Sequence, residues 1–129
     1  DMAIFIFSKN IINGKIFSVF NNGNMYRDFT YIDDIVSGIK LSMEKNYPCE
    51  ILNLGNSRSE NLMEVISILE NCLGKKAKIN FEGMQPGDVE ATFADIDYTL
   101  EKIGYNPKVT IKKGIPKFVE WFKRYNNFK

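Results

Sequence analysis

Val19 to Ile35 reads VFNNGNMYRDFTYIDDI, and this stretch decides what kind of fold the chain has. Ile16 to Phe20 carries the β-branched and aromatic residues of an extended segment, and Met25 to Tyr31 is a second such segment. Between them Asn21, Asn22, Gly23 and Asn24 tolerate positive φ, so a hairpin or a strand-turn unit is expected. Thr30 followed three residues later by Asp33 resembles a capping box, with Asp in the usual Glu or Gln place. Ile32, Ile35, Val36, Ile39 and Met43 then recur at helical spacing, which predicts a helix running to about Glu44. Extended structure that passes directly into an amphipathic helix places the chain in the α/β or mixed α+β class.

The flanks agree with that class. Toward the N-terminus, Ala3 to Ile12 is read as a helix stopped by Asn13-Gly14. Toward the C-terminus, Glu50 to Gly55 reads as a short strand. Asn61 and Glu64 form a second capping pair, and Leu62, Val65, Ile66, Leu69 and Leu73 make one stripe that ends at Gly74. Ala77 to Phe81 is strand-like, Glu82 to Asp88 is a loop holding Gly83, Pro86 and Gly87, and Glu90 to Ala94 is extended again. Asp97 is expected to cap a short helix to Ile103. A last helix should start near Thr110, with Ile111, Ile115, Phe118, Val119 and Phe122 on its buried face and Pro116 early enough to be tolerated. About five helices and as many short strands result. No repeat or linker interrupts them, so residues 1–129 read as a single domain.

Composition narrows the chemistry. With 17 basic against 16 acidic side chains there is no field to hold a polyanion, so neither nucleic acid nor a membrane surface is expected as a partner. The absence of histidine excludes Ser-His-Asp and Cys-His catalysis and imidazole metal sites. Cys49 and Cys72 form no CxxC pair, which fits a reduced, cytoplasmic protein with no metal site. The longest apolar run, Ala3 to Phe7, is too short to span a bilayer. The chain begins at Asp1 rather than at a methionine, which suggests that something upstream has been cut away. The nine glycines form neither a GxG pair nor a GxxxxGK[ST] loop. Tyr98 with Lys102, and Tyr125 with Lys129, match a Tyr-x-x-x-Lys spacing, yet about one match is expected by chance and neither has a Ser or Thr partner in view.

Two segments carry candidate binding chemistry, each with a plainer alternative. Phe20 at a strand end followed by Arg27 suits a stacked base and a paired anion, while a core Phe20 and an Arg27 paired with Asp28 or Asp33 explain the same residues. Asp28, Asp33 and Asp34 are a cation site or a set of helix-capping groups. In the loop around Pro86-Gly87, Asp88 is placed to accept from a sugar diol or to bond its own backbone, and Gln85 can donate to a phosphate.

RDFTYIDDI at Arg27–Ile35 preceded by VFNNGNM, ILNLGNS at Ile51–Ser57, NLMEVI at Asn61–Ile66 and MQPGDVEATFAD at Met84–Asp95 together resemble the C-terminal part of nucleotide-sugar epimerases of the extended short-chain dehydrogenase/reductase family. The nearest resemblance is to its bacterial UDP-glucuronate 4-epimerases, and it covers essentially the whole chain in order. It implies that Phe20 stacks on uracil, that Ser18 and Val19 offer strand backbone atoms to the base edge, and that Arg27 contacts the diphosphate. Asp88 would bind the ribose hydroxyls, Gln85 would stand where many relatives place an arginine, and Met2 would line the same pocket. The resemblance further implies a parent homodimer that oxidises the sugar at C4 with tightly held NAD, rotates it and returns the hydride. The NAD loop and the catalytic Ser/Thr, Tyr and Lys would belong to an N-terminal Rossmann part, so these residues would hold no cofactor and be inactive alone. The helix after Thr30 and the strand Ile51 to Leu54 would pack on that part, and without it would leave an apolar patch. A nucleotide-sugar dehydratase or decarboxylase portion, or a non-catalytic binding or interaction module, are the alternatives.

Overall fold

The computed structural model describes residues 3–128. In chain order its elements are α1 (Ala3–Ile12), β1 (Ile16–Val19), β2 (Tyr26–Asp28), α2 (Ile32–Lys45), β3 (Ser59–Asn61), α3 (Leu62–Leu73), β4 (Lys78–Phe81), α4 (Asp97–Ile103) and α5 (Ile111–Tyr125). Five helices accompany four short strands, which is the mixed α/β class the sequence indicated.

Of the two arrangements expected for β1 and β2, the strand-turn unit forms and the hairpin does not. β1 pairs in parallel with β4, in the register Ile16 to Lys78 through Val19 to Phe81, and β2 pairs antiparallel with β3. The reason lies in the connection. Asn21–Gly23 folds into a 3₁₀ turn with Asn21 and Asn22 at φ near +50, and the Asn21 side chain donates to the Asn24 carbonyl at 2.8 Å. That turn sends the chain away from β1 and into a second two-stranded sheet.

α3 supplies the centre of the main core. Asn61 Oδ1 accepts from the backbone N–H of Met63 at 2.8 Å and of Glu64 at 3.4 Å, which satisfies two donors at the helix start. Gly74, at φ +67, ends the helix in the left-handed conformation. Val65, Ile66 and Leu69 are fully buried and meet Ile11 of α1, Val19 of β1 and Ile115 and Val119 of α5. Phe7 and Phe17 stack at 4.7 Å, joining α1 to β1. α5 forms as expected, with Pro116 in its second turn.

A smaller cluster of Ile96, Ile103 and Tyr105 packs with Leu41, Leu52 and Leu54. The Tyr105 hydroxyl donates to the Gly55 carbonyl at 2.8 Å. Burial, followed by the charges of Asp34 and Asp28, pushes this phenol up to about 12.

Three local expectations are corrected. Tyr31, not Thr30, stands at the start of α2, and the Thr30 hydroxyl turns toward Asp28. Asp97 is the first helical residue of α4 rather than its cap, and its N–H donates to the Asp95 carboxylate at 3.1 Å. Residues 50–55 form no ladder among the described residues, and Glu90 to Ala94 runs beside β2 but contributes only an isolated bridge between Tyr26 and Ala91.

The periodic stripe on α2 points outward. Ile32 is 61% exposed and Met43 74%, with Val36 and Ile39 also open, while Ile51 in the unpaired segment is 85% exposed. The apolar patch implied by the family resemblance is therefore present on this surface. Among the described residues no helix is long and apolar enough to cross a membrane, and both cysteines are free.

Candidate ligand-binding site

β1, its following turn and the loop after β4 converge on one open cavity of about 560 Å³. Val19 accepts a hydrogen bond from the Glu82 N–H at 3.0 Å. Alternate residues of a parallel strand bond to the same neighbour, so the N–H and C=O of Ser18 face the opposite edge of β1, which is unpaired among the described residues. The Ser18 hydroxyl donates to the Glu82 carboxylate. Phe17, Ser18, Val19 and Phe20 all line the cavity, with Phe20 half-buried there. Val19 differs from the expectation in that its carbonyl is already engaged by Glu82, so the open backbone groups are those of Ser18.

Arg27 reaches the same cavity from β2, held by an unusually complete set of acceptors. Its Nη1 donates to the carbonyls of Tyr26 at 2.8 Å and Glu90 at 3.1 Å, and its Nη2 donates to Asp88 Oδ1 at 2.8 Å. The Arg27 and Asp88 side chains are 23% and 32% exposed, so water screens their attraction and the pair itself adds only about 0.2 to 1 kcal/mol of stability. Its interest is positional, because it joins two candidate ligand groups that lie 61 residues apart. Asp88 is also a turn residue: its N–H donates to the Gln85 carbonyl at 3.1 Å, and its Oδ1 accepts from Val89 N–H at 2.9 Å.

Asp28 explains why Arg27 is held where it is. Its carboxylate accepts from the N–H groups of Asn56 at 2.9 Å and of Ser57 and Ala94 at 3.0 Å, tying two separate segments to β2. Gly55 permits this closeness, since a Cβ there would lie 2.3 Å from that of Ala94. The residues after Asp88 run along β2, with Tyr26 N–H donating to Glu90 at 2.8 Å and Thr92 N–H to Tyr26 at 3.1 Å. The Thr92 hydroxyl accepts from Asp28 N–H at 3.1 Å.

The plainer alternatives can now be resolved. Arg27 pairs with Asp88 rather than with Asp28 or Asp33. Asp34 is buried and accepts from the N–H groups of Lys108 at 3.1 Å and Val109 at 2.9 Å, while Asp33 is exposed. The three aspartates thus serve separate backbone or solvent positions, and no group of three metal-binding side chains occurs among the described residues. Lys102 Nζ lies 5.3 Å from the centre of the Tyr98 ring, and neither residue lines the cavity. Tyr125 is exposed and Lys129 lies outside the described residues.

Of the seven expected site residues, Ser18, Val19, Phe20, Arg27 and Asp88 share this cavity. The structure does not bring in Gln85, which is exposed on the loop and absent from the cavity wall. Met2 lies outside the described residues. The sequence reading missed Thr92, Met25 and Leu62 in the wall and the role of Asp28 behind it. A second cavity of about 350 Å³ between α1 and α5 has an apolar wall that includes Phe5, Tyr31, Ile115 and Trp121.

Comparison with known proteins places this architecture. The family model described as GDP-mannose 4,6 dehydratase matches residues 3–118. An uncharacterized protein of Methanocaldococcus jannaschii, MJ1055, is 51% identical over 122 residues, covering 95% of this chain and 37% of that protein. The UDP-glucuronate 4-epimerase of Thermodesulfobacterium geofontis is 39% identical over 124 residues, covering 95% of this chain and 38% of the enzyme. The crystal structure of UDP-glucuronic acid 4-epimerase from Bacillus cereus, in complex with UDP-glucuronic acid and NAD, superposes with a TM-score of 0.87 at 31% identity. That match covers 97% of this chain and 40% of the neighbour. The chain thus spans roughly two fifths of the length of these relatives. It belongs to the GDP-mannose 4,6 dehydratase family of extended short-chain dehydrogenases/reductases and matches the C-terminal part of its epimerases.

Proposed function

We propose that this chain is the UDP-sugar-binding part of an NAD-dependent 4-epimerase that interconverts UDP-glucuronate and UDP-galacturonate. The observation that carries the reading is the convergence of Phe20, Ser18, Arg27 and Asp88 on one cavity. The Phe20 ring offers a stacking face for uracil, and the unpaired N–H and C=O of Ser18 offer one donor and one acceptor to its edge. Among the described residues Arg27 keeps Nε–H and one Nη2–H free of hydrogen bonds, two donors suited to diphosphate oxygens. Asp88 Oδ2, unbonded among the described residues, accepts from ribose hydroxyls.

The nine glycines include no GxG pair and no GxxxxGK[ST] loop of the kind that cradles a pyrophosphate. We therefore assign NAD and the hydride chemistry to an N-terminal Rossmann part of the parent enzyme, which we take to be a cytoplasmic homodimer. The function left to these residues is to bind and orient the nucleotide so that the sugar projects toward that remainder. The test is a calorimetric titration of UDP into the wild-type chain and an Arg27→Ala variant. Losing a charged hydrogen-bond donor should weaken UDP by about 1.5 to 3 kcal/mol. Unchanged affinity in a folded variant would remove Arg27 from the site.

A further inference from the structure

The charges lining the nucleotide cavity do not favour an anion. Among the described residues Arg27 is its one cationic side chain, and the carboxylates of Asp28 and Asp88 line it as well. The Asp28 charge is spread over three backbone N–H groups, but Asp88 sits directly on the guanidinium at 2.8 Å. An anion approaching the free edge of Arg27 meets attraction and repulsion at similar range, and the two nearly cancel. We propose that Asp88 is a specificity-determining residue: by neutralising Arg27 it keeps bare phosphate and pyrophosphate out of the cavity and admits anions that arrive joined to a diol. This rests on the nucleotide-binding reading above and adds to it the selectivity of the same site.

The hydrogen-bond inventory gives the device its logic. Asp88 Oδ1 is shared between Arg27 Nη2 and Val89 N–H, so the carboxylate is fixed in place. Its Oδ2 keeps its lone pairs. A ribonucleoside diphosphate offers hydroxyl donors to Oδ2 while its phosphates take Nε–H and the remaining Nη2–H of Arg27, so both members of the pair gain a partner together. Inorganic pyrophosphate satisfies only the arginine and leaves the aspartate facing a like charge. Uridine satisfies only the aspartate.

Asp88→Asn separates charge from shape, because the asparagine Oδ1 still accepts from Arg27 and Val89 while the negative charge is lost. Titration of the wild-type chain and this variant with pyrophosphate and with UDP reads the effect. Pyrophosphate is expected to bind about fivefold more tightly to the variant, as removal of a unit charge some 4 Å away in a water-like medium requires. UDP should bind more weakly, so the preference for UDP over pyrophosphate collapses by about tenfold or more. Asp88→Ala, which removes the charge without adding an amide, should gain pyrophosphate affinity as well, and adding Arg27→Gln to either variant should abolish the gain. Pyrophosphate affinity unchanged or lowered in both Asp88 variants, with UDP still bound by the wild type, overturns the selectivity role and leaves the nucleotide reading standing. A pyrophosphate gain without any wild-type UDP binding upholds the charge effect and removes the nucleotide reading.

Discussion

Asp28→Asn should cost this fold about 2 to 4 kcal/mol, although it changes one atom and creates no cavity. The wild-type carboxylate accepts three backbone N–H bonds, one at Oδ1 from Asn56 and two at Oδ2 from Ser57 and Ala94. The asparagine amide must point its NH₂ at one set or the other. The better rotamer opposes only the Asn56 N–H, leaving one partly buried donor without an acceptor at about 1 to 3 kcal/mol, and the two surviving bonds lose their charge assistance at roughly 0.5 kcal/mol or more each. Urea denaturation followed by tryptophan fluorescence measures the difference, and amide exchange locates it: the N–H groups of Asn56, Ser57 and Ala94 should lose protection first. Because Arg27 directly precedes Asp28 on β2, UDP affinity should fall with them. A stability change below about 0.5 kcal/mol with exchange at those three amides unaltered would refute the view that Asp28 clamps the site together.

Two further predictions address the surface and the second cluster. The exposed stripe of Ile32, Val36, Ile39 and Met43, together with exposed Ile51, should make the isolated chain self-associate, and Met43→Lys with Ile51→Lys should restore a monomer by sedimentation velocity; a monomeric wild-type chain at high concentration counts against it. Tyr105, with its phenol pushed up to about 12 from an ordinary value of 10.0, keeps its proton in the folded state after the unfolded chain has lost it. Stability is therefore full below pH 10 and falls as pH rises from about 10 to 12, and Tyr105→Phe should flatten that fall in alkaline denaturation.

What could be read from the sequence was what is locally encoded. α3 carries its own start in Asn61, its own face in Val65, Ile66 and Leu69, and its own stop in Gly74, and all three hold. The pairing of β1 is not local: its partner β4 begins about 60 residues later, and turn chemistry at Asn21–Gly23 carries no trace of it. Periodicity on α2 identified an apolar face but not what that face meets, since Ile32 and Met43 look the same in sequence whether covered or open. The segment at Ile51 to Leu54 has strand-like residues but pairs with no strand among the described residues.

The site divides in the same way. Arg27 and Asp88 were each legible as polar residues in suggestive places, but nothing in their spacing announced a contact between them, and Asp28 and Asp33 were the nearer partners in sequence. Asp28 is instead occupied by three backbone N–H groups from two segments, a role visible only after folding. Gln85 was placed by analogy of motif alone, and its loop leaves it exposed.

The central claim is that these residues form a ready half-site for a uridine nucleotide. An amide-resolved NMR titration with UDP, with uridine as the control that lacks phosphate, tests it most directly. Saturable shifts centred on Ser18, Phe20, Arg27 and Asp88, larger at Arg27 for UDP than for uridine, are the result expected. A well-folded spectrum in which UDP moves none of these resonances would contradict it.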